Sequence, residues 1–264
     1  MKKGLISLGV VAVIIGIVWF AVFNKTSNEI GKVEKLEDLK NAKIGIVSGT
    51  TFDVFVQEKL PDAEIVYYNE HMDIVAALKA GQVDGSCCGF PVAFYSAKYN
   101  DDITYLEEPV SEEKAGIALR KEDTELLKQM DDFLTEAKND GTLEEIERCW
   151  FDLESNEYNM PSIQEYKEGK PLIVGISANR EPACFIDENG EYIGLDIEVA
   201  KRIGAYLKRP VEFVDLKFSA IIPALQSGKI DCIIATMCIT EERKKSVNFT
   251  QEYVANPATM IIKK

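Results

Sequence analysis

Two stretches of this chain repeat one local plan. Ala77-Leu78-Lys79-Ala80-Gly81-Gln82-Val83-Asp84 and Ala224-Leu225-Gln226-Ser227-Gly228-Lys229-Ile230-Asp231 both read A-L-x-x-G-x-[VI]-D. Each joins an apolar helix end to a glycine free to take the left-handed cap conformation, then to an apolar residue that opens a strand. A helix that turns straight into a buried strand needs a sheet to pack on, so two copies predict two α/β lobes of similar plan. Coincidence in a common helix-glycine-strand turn is the plain alternative.

The flanking pattern alternates in the same way. Ile44 to Val47 is an apolar run, Ser48-Gly49-Thr50 a turn, and Thr51 to Lys59 a helix with Phe52 and Phe55 on one side. A strand over Glu64 to Tyr68, a helix over Met72 to Ala80 and a buried strand through Ser86, Cys87 and Cys88 to Gly89 follow. Ala115 to Leu119 reads as a strand. Leu126, Leu127, Met130, Phe133, Leu134 and Ala137 then recur at helical spacing, before a helix from Thr142 to Phe151. Residues 152–170 are polar, with Pro161 and Gly169, and read as a linker. Beyond it lie a strand over Leu172 to Ile176, a helix over Ile197 to Leu207 opened by Asp196, a strand over Val211 to Val214 and a helix around Ile221 to Ser227.

Composition narrows the function. The 264 residues carry 30 Lys plus Arg against 44 Asp plus Glu, a formal charge of −14, so no phosphate-neutralising surface dominates and nucleic acid is not an expected partner. The single histidine, His71, leaves little room for imidazole acid/base or zinc chemistry. After Met1, Lys2 and Lys3, the stretch Gly4 to Phe23 has no charged residue, long enough to span the ~30 Å apolar core of a bilayer. An uncleaved anchor over 1–23 is expected, a cleaved signal being the alternative, with 24–33 a tether and the remainder on the extracytoplasmic face of the cell membrane. The six cysteines show no zinc-ligand spacing. Adjacent strand residues Cys87 and Cys88 point to opposite faces, which makes a bond between them strained, and buried free thiols are expected. Cys184 with Cys238 is the pair to check.

At this point the residues resemble the bacterial extracellular solute-binding proteins of family 3, the polar amino-acid receptors of ABC importers. The most specific stretches are Phe185-Ile186-Asp187-Glu188-Asn189-Gly190, Gly194-Leu195-Asp196-Ile197-Glu198-Val199-Ala200, Leu225 to Asp231, and Thr240-Glu241-Glu242-Arg243. Leu36-Glu37-Asp38-Leu39-Lys40, Gly49-Thr50-Thr51, Ala118-Leu119-Arg120-Lys121, and Asp140-Gly141-Thr142 to Trp150-Phe151 add to it. The resemblance implies a two-lobed, periplasmic-binding-protein-like α/β fold of type II, here with an N-terminal transmembrane helix. It makes 34–114 second-lobe-like, 115–151 the hinge strand and terminal helices, and 171–264 first-lobe-like. That order is permuted relative to the family. The chain is either a circular permutation cut at a hinge strand after Ile262, with 152–170 joining the old termini, or a fragment of a longer tandem receptor.

The resemblance also implies a site between the lobes. Arg243 stands where the family's guanidinium takes the ligand α-carboxylate as a bidentate pair. Thr236 and Cys238 stand where small hydroxyl or glycine residues do, and a thiol is a poorer donor than a hydroxyl. Thr50 and Thr51 open a helix whose amides can hold the same anion, their bland reading being an ordinary N-cap. Phe218 is an apolar wall or simple core. Two departures bear on the ligand. Gly89 stands where the family commonly carries the aspartate that receives the α-ammonium, and Arg180 and Ala183 replace aromatics that stack on the ligand side chain. Glu181 can supply a replacement charge and Arg180 a second anion contact, or both are solvated loop residues. Gly89→Asp then shifts preference toward amino acids, provided a β-carbon fits there.

The expected protein is thus an anchored, extracytoplasmic solute-binding component of an ABC importer that closes on a small carboxylate or amino-acid-like ligand. Its expected partners are a permease, the small-molecule ligand and the membrane. No catalysis, metal or cofactor is expected. A receptor's sensor domain and a tandem fragment are the alternatives.

Overall fold

The computed structural model describes residues 33–107, 111, 113–151 and 160–264. The expected anchor over 1–23, the tether apart from Val33, and 152–159 of the linker lie outside the described residues. Among the described residues no helix is long and apolar enough to cross a membrane.

After a 3-10 turn at Leu36–Leu39, the first half of the chain runs β1 (Lys43–Val47), α1 (Phe52–Lys59), β2 (Glu64–Tyr68), α2 (His71–Lys79), β3 (Gly85–Gly89), α3 (Phe90–Lys98) and β4 (Ile103–Tyr105). Next come β5 (Lys114–Leu119), α4 (Thr124–Asn139) and α5 (Thr142–Phe151). The second half runs β6 (Leu172–Ile176), β7 (Phe185–Ile186), β8 (Tyr192–Ile193), α6 (Leu195–Leu207), β9 (Val211–Asp215) and α7 (Phe218–Gln226). It closes with β10 (Cys232–Ile233), α8 (Glu241–Lys244), β11 (Asn248–Ala255) and β12 (Ala258–Lys263). Helix α3 has no counterpart in the sequence reading, although Pro91 in its first turn is a helix-start signal.

The sequence echo has one structural meaning in both halves. Gly81 and Gly228 sit at φ 68° and 75°, where a side chain is disfavoured. The residue after each glycine donates its N–H back into the helix, Gln82 to Ala77 O and Lys229 to Ala224 O. These bonds satisfy carbonyls that the helix end would leave open. Val83 and Ile230 then enter the core. The closing aspartates act alike: Asp84 Oδ2 accepts from Lys43 N at 2.7 Å and Asp231 Oδ2 from Ile173 N at 3.1 Å, each tying the turn to the start of its lobe's first strand.

Two five-stranded sheets result, in the orders β2-β1-β3-β12-β4 and β9-β6-β10-β5-β11. In each, the fourth strand comes from the other part of the chain and runs antiparallel to its neighbours, β12 to β3 and β4, β5 to β10 and β11. Residues 258–263, grouped with 171–264 by sequence, therefore pair inside the sheet of 34–114. The chain crosses between the sheets twice, from β4 to β5 and from β11 to β12.

Alternation along the strands packs both faces of each sheet. Met260 and Ile262 join Ile44, Ile46, Phe52 and Phe55 on one side, while Ile261 joins Ile74, Leu78 and Ile103 on the other. Cys87 and Cys88 divide between the same two clusters, as period-two geometry requires. In the second sheet, Ile117, Leu119 and Val174 face α4, α5 and α6, while Ala118 and Ile233 face α7. Trp150 of α5 is sealed into that core and donates from Nε1 to Glu198 Oε2 at 2.7 Å. Glu198, itself buried, is paired with Arg202 at 2.7 Å.

All six cysteines are free, five of them buried and Cys149 exposed. Cys184 and Cys238 are not bonded: Cys184 belongs to the second-sheet core, whereas Cys238 turns toward Glu113.

Candidate functional site

A cavity of about 640 Å3, its open mouth included, lies between the two sheets. From the first sheet it is lined by Thr50 and Thr51 ahead of α1, His71 at the start of α2, and Cys87 to Gly89 at the end of β3. From the second it is lined by Arg180, Phe218, Thr236, Cys238 and Arg243, and from the second crossover by Asn256. Of the nine site residues read from sequence, eight line this one cavity; Glu181 does not.

Arg243 lies in the single turn of α8, whose N-cap Thr240 accepts from Arg243 N through its hydroxyl. The guanidinium donates to Cys238 O at 2.7 Å and reaches across to Gly49 O at 2.9 Å, so it touches both halves of the molecule. Burial lowers its pKa, with Cys238 and Glu113 opposing the shift. A guanidinium stays charged through a shift of this kind. Arg180 and Arg243 both lie over the Phe218 ring, with Cζ 5.3 and 5.7 Å from its centroid. Phe218 is at once core and wall: it packs with Ile221 and Leu225 and carries the two cations.

Arg180 is not a solvated loop residue. Its guanidinium donates to Ala235 O at 2.7 Å and Thr236 Oγ1 at 3.2 Å, and stands 3.5 Å from Asp196 Oδ2. Asp196, read from sequence only as a helix opener, is fully buried beneath it. It accepts from Tyr253 Oη at 2.6 Å, Thr236 Oγ1 at 3.0 Å and Thr236 N at 3.1 Å. Burial raises the Asp196 pKa, and Arg180 with these donors pulls against it. The network holds Thr236 at φ 43°, an unusual conformation for a β-branched residue. The Thr236 hydroxyl is therefore committed to Asp196.

The two threonines ahead of α1 do not cap it with their hydroxyls. Thr50 Oγ1 donates to Val47 O at 2.8 Å and Thr51 Oγ1 to Glu113 Oε1 at 2.7 Å. Glu113, on the first crossover, also accepts from Cys238 Sγ at 2.7 Å, and so binds a residue of each half. Burial first, then Glu113, pushes the Cys238 thiol up to about 12. The sequence reading missed Glu113, which carries no local motif.

Glu181 accepts from Tyr99 Oη at 2.8 Å and opens onto a neighbouring cavity lined by Met72, Tyr95, Asn179 and Ile186. It is separated from the Arg243 cavity by His71, which lines both. Ser96 Oγ donates to Val92 O at 2.7 Å, so the 2.8 Å contact between His71 Nε2 and Ser96 Oγ makes the imidazole the donor. Burial, and then Arg180, lower the His71 pKa to about 4, leaving the ring neutral near pH 7.

Gly89 ends β3 and is the N-cap of α3. A β-carbon there would stand 2.4 Å from Asn256 Oδ1, so Gly89→Asp does not fit unless Asn256 moves. The room expected at Gly89 is taken by the Asn256 side chain. Among the described cavity-lining residues are two arginines and no aspartate or glutamate. Among the described residues no group of three His, Cys, Asp or Glu is arranged to hold a metal ion.

The two α/β lobes with a shared interlobe cavity are those of the periplasmic-binding-protein-like fold. Residues 33–153 and 172–264 match the model of the bacterial extracellular solute-binding proteins, family 3, and the chain belongs to that family. The L-arginine-binding protein of Pseudomonas aeruginosa is 34% identical over 102 residues, 39% of this chain and 39% of that protein. ABC transporter arginine-binding protein 1 of Escherichia coli is 39% identical over 90 residues, 34% of this chain and 37% of that one. The ABC transporter glutamine-binding protein GlnH of Bacillus subtilis is 32% identical over 114 residues, 42% of each. The chain thus spans well under two-thirds of the length of these relatives. A solved structure of an ancestral arginine-binding protein bound to arginine is 55% identical over 29% of this chain and 34% of that one, with a TM-score of 0.29.

Proposed function

We propose that this protein is the extracytoplasmic solute-binding component of an ABC importer, that it catalyses no reaction, and that its ligand is a small carboxylate held between the lobes with Arg243 as the anchor. The observation that carries this is the pair of guanidiniums over Phe218 in a cavity with no carboxylate among its described lining residues. An anion entering there finds positive charge and a fork suited to a carboxylate. An ammonium finds no free acid there among the described residues, since the carboxylate of Glu113 is engaged by Thr51 and Cys238 and that of Asp196 by Arg180, Tyr253 and Thr236, and it keeps most of its desolvation penalty. Arginine and glutamine, named for the relatives, carry an α-ammonium, and on this reading they bind less well than carboxylates without one.

Residues 1–23 anchor the protein in the membrane, and the closed form is presented to a permease. The lobes follow one another in an order permuted relative to the family, and Val33 and Leu36 pack in the same cluster as Ile262.

The test is isothermal titration of the purified full chain with matched small acids carrying and lacking an α-amine. Tighter binding of the amine-free members supports the reading. Binding confined to amines, or unaffected by a tenfold rise in competing carboxylate, overturns it.

A further inference from the structure

We infer that Asn256 reads the substituent on the ligand's α-carbon and selects a neutral hydroxyl or carbonyl oxygen there over an ammonium. The inference deepens the carboxylate reading of the cleft and rests on it. Asn256 lies on the second crossover, between β11 and β12, and its main chain is fixed on both sides. Its N–H donates to Glu113 O at 2.7 Å, and the carbonyl of the next residue, Pro257, accepts from Phe90 N at 2.7 Å. The side chain has little freedom either, because the residue is only 8% exposed. Its amide fills the space in front of Gly89, with Oδ1 2.4 Å and Nδ2 3.3 Å from where a β-carbon would stand. Where the family resemblance places an acid, this protein has a glycine with a neutral amide set against it.

Among the described residues that amide has no hydrogen-bond partner, yet it lines the same cavity as Arg243. A carboxamide offers two N–H donors and one carbonyl acceptor, and on the cavity wall these stand open to a ligand. A ligand hydroxyl can accept from Nδ2 or donate to Oδ1, and a ketone can accept from Nδ2. An ammonium can donate one bond to Oδ1, but the amide brings no charge to offset the ammonium's lost hydration. With the carboxylate on Arg243, the 2-hydroxy or 2-oxo acid is the class whose polar atoms the cavity satisfies.

Asn256→Asp tests this without the displacement of Asn256 that Gly89→Asp requires, because the two side chains have the same shape. The probes are three matched pairs, L-lactate with L-alanine, L-malate with L-aspartate, and L-2-hydroxyglutarate with L-glutamate, titrated calorimetrically into the full chain. In the wild type, the hydroxy acid of the best-bound pair should bind more tightly than its amine. Asn256→Asp should move that ratio toward the amino acid by at least about tenfold, since a charged pair replaces a neutral contact. Asn256→Ala, which keeps the fold testable if the acid perturbs it, should weaken the hydroxy acid about tenfold without strengthening the amino acid. An unchanged ratio in both variants overturns the inference while leaving the cleft reading in place, provided Arg243→Ala still abolishes binding. Binding of no probe by the wild type, or binding indifferent to Arg243→Ala, overturns the cleft reading and this inference with it.

Discussion

Replacing Arg243 by alanine separates ligand anchoring from folding, because the structure assigns this guanidinium few duties in the fold. Its two bonds go to the carbonyls of Cys238 and Gly49, and no carboxylate is paired with it among the described residues. Losing two bonds to partly solvated carbonyls should lower stability by about 1–3 kcal/mol, a shift of roughly 2–12 °C in Tm for a protein of this size. Ligand binding should suffer more. A carboxylate left desolvated without its charged partner loses about 2–5 kcal/mol, which corresponds to roughly 30-fold to several-thousand-fold in Kd. Arg243→Lys keeps the charge but not the fork and should fall between the two. Arg180→Ala is the contrasting control. It strands the fully buried Asp196 with only Tyr253 and Thr236 as donors, so about 3–5 kcal/mol of fold stability should go with it. Calorimetry on the best-binding carboxylate, with thermal unfolding on the same samples, reads both quantities. An Arg243→Ala chain that binds within about threefold of wild type would return Arg243 to the solvated charge run it occupies in the sequence.

His71 supplies a pH prediction. Its folded pKa of about 4 lies below the free value of 6.5, so its contribution is fully present above pH 6.5 and is lost as pH falls toward 4, about 3 kcal/mol in all. NMR titration of this single imidazole should give a midpoint near 4, and a midpoint near 6.5 would contradict its burial. Thiol labelling of the reduced native protein should modify Cys149 alone, and all six cysteines after unfolding; rapid labelling of Cys238 would mean that the cleft opens freely. Gly194→Ala combines a φ of 125° with a β-carbon 2.4 Å from the Ala183 carbonyl oxygen, a backbone contact that cannot yield. It should cost more than about 2 kcal/mol of stability by thermal or urea unfolding, and a neutral result would refute the packing drawn at the start of α6.

What the sequence made legible was mostly local. The helix-glycine-strand echo carried the two-lobe plan, because a φ-positive cap and an entering apolar residue leave marks on neighbouring positions. The role of Asp84 and Asp231 was hidden although the letters were visible, since each bonds to a strand start brought alongside by the sheet. The crossover residues were harder still. Glu113 meets Thr51 from 62 residues away and Cys238 from 125, and Asn256 meets Gly89 across the hinge, so no spacing rule could have joined them. Arg180 shows the opposite failure: a charged loop residue looked solvated until the buried Asp196 was placed under it. The Gly89 departure was legible, but not what fills its space.

The central claim is that a carboxylate is gripped between the lobes by Arg243, and a crystal structure of the full chain with its best-binding acid tests it most directly. The carboxylate oxygens should lie within about 3 Å of the Arg243 guanidinium nitrogens, with the α-substituent turned toward Asn256 and Gly89. A ligand seated instead in the neighbouring Tyr99 and Glu181 cavity, or an Arg243 still bonded only to Cys238 and Gly49 with the acid elsewhere, would contradict it.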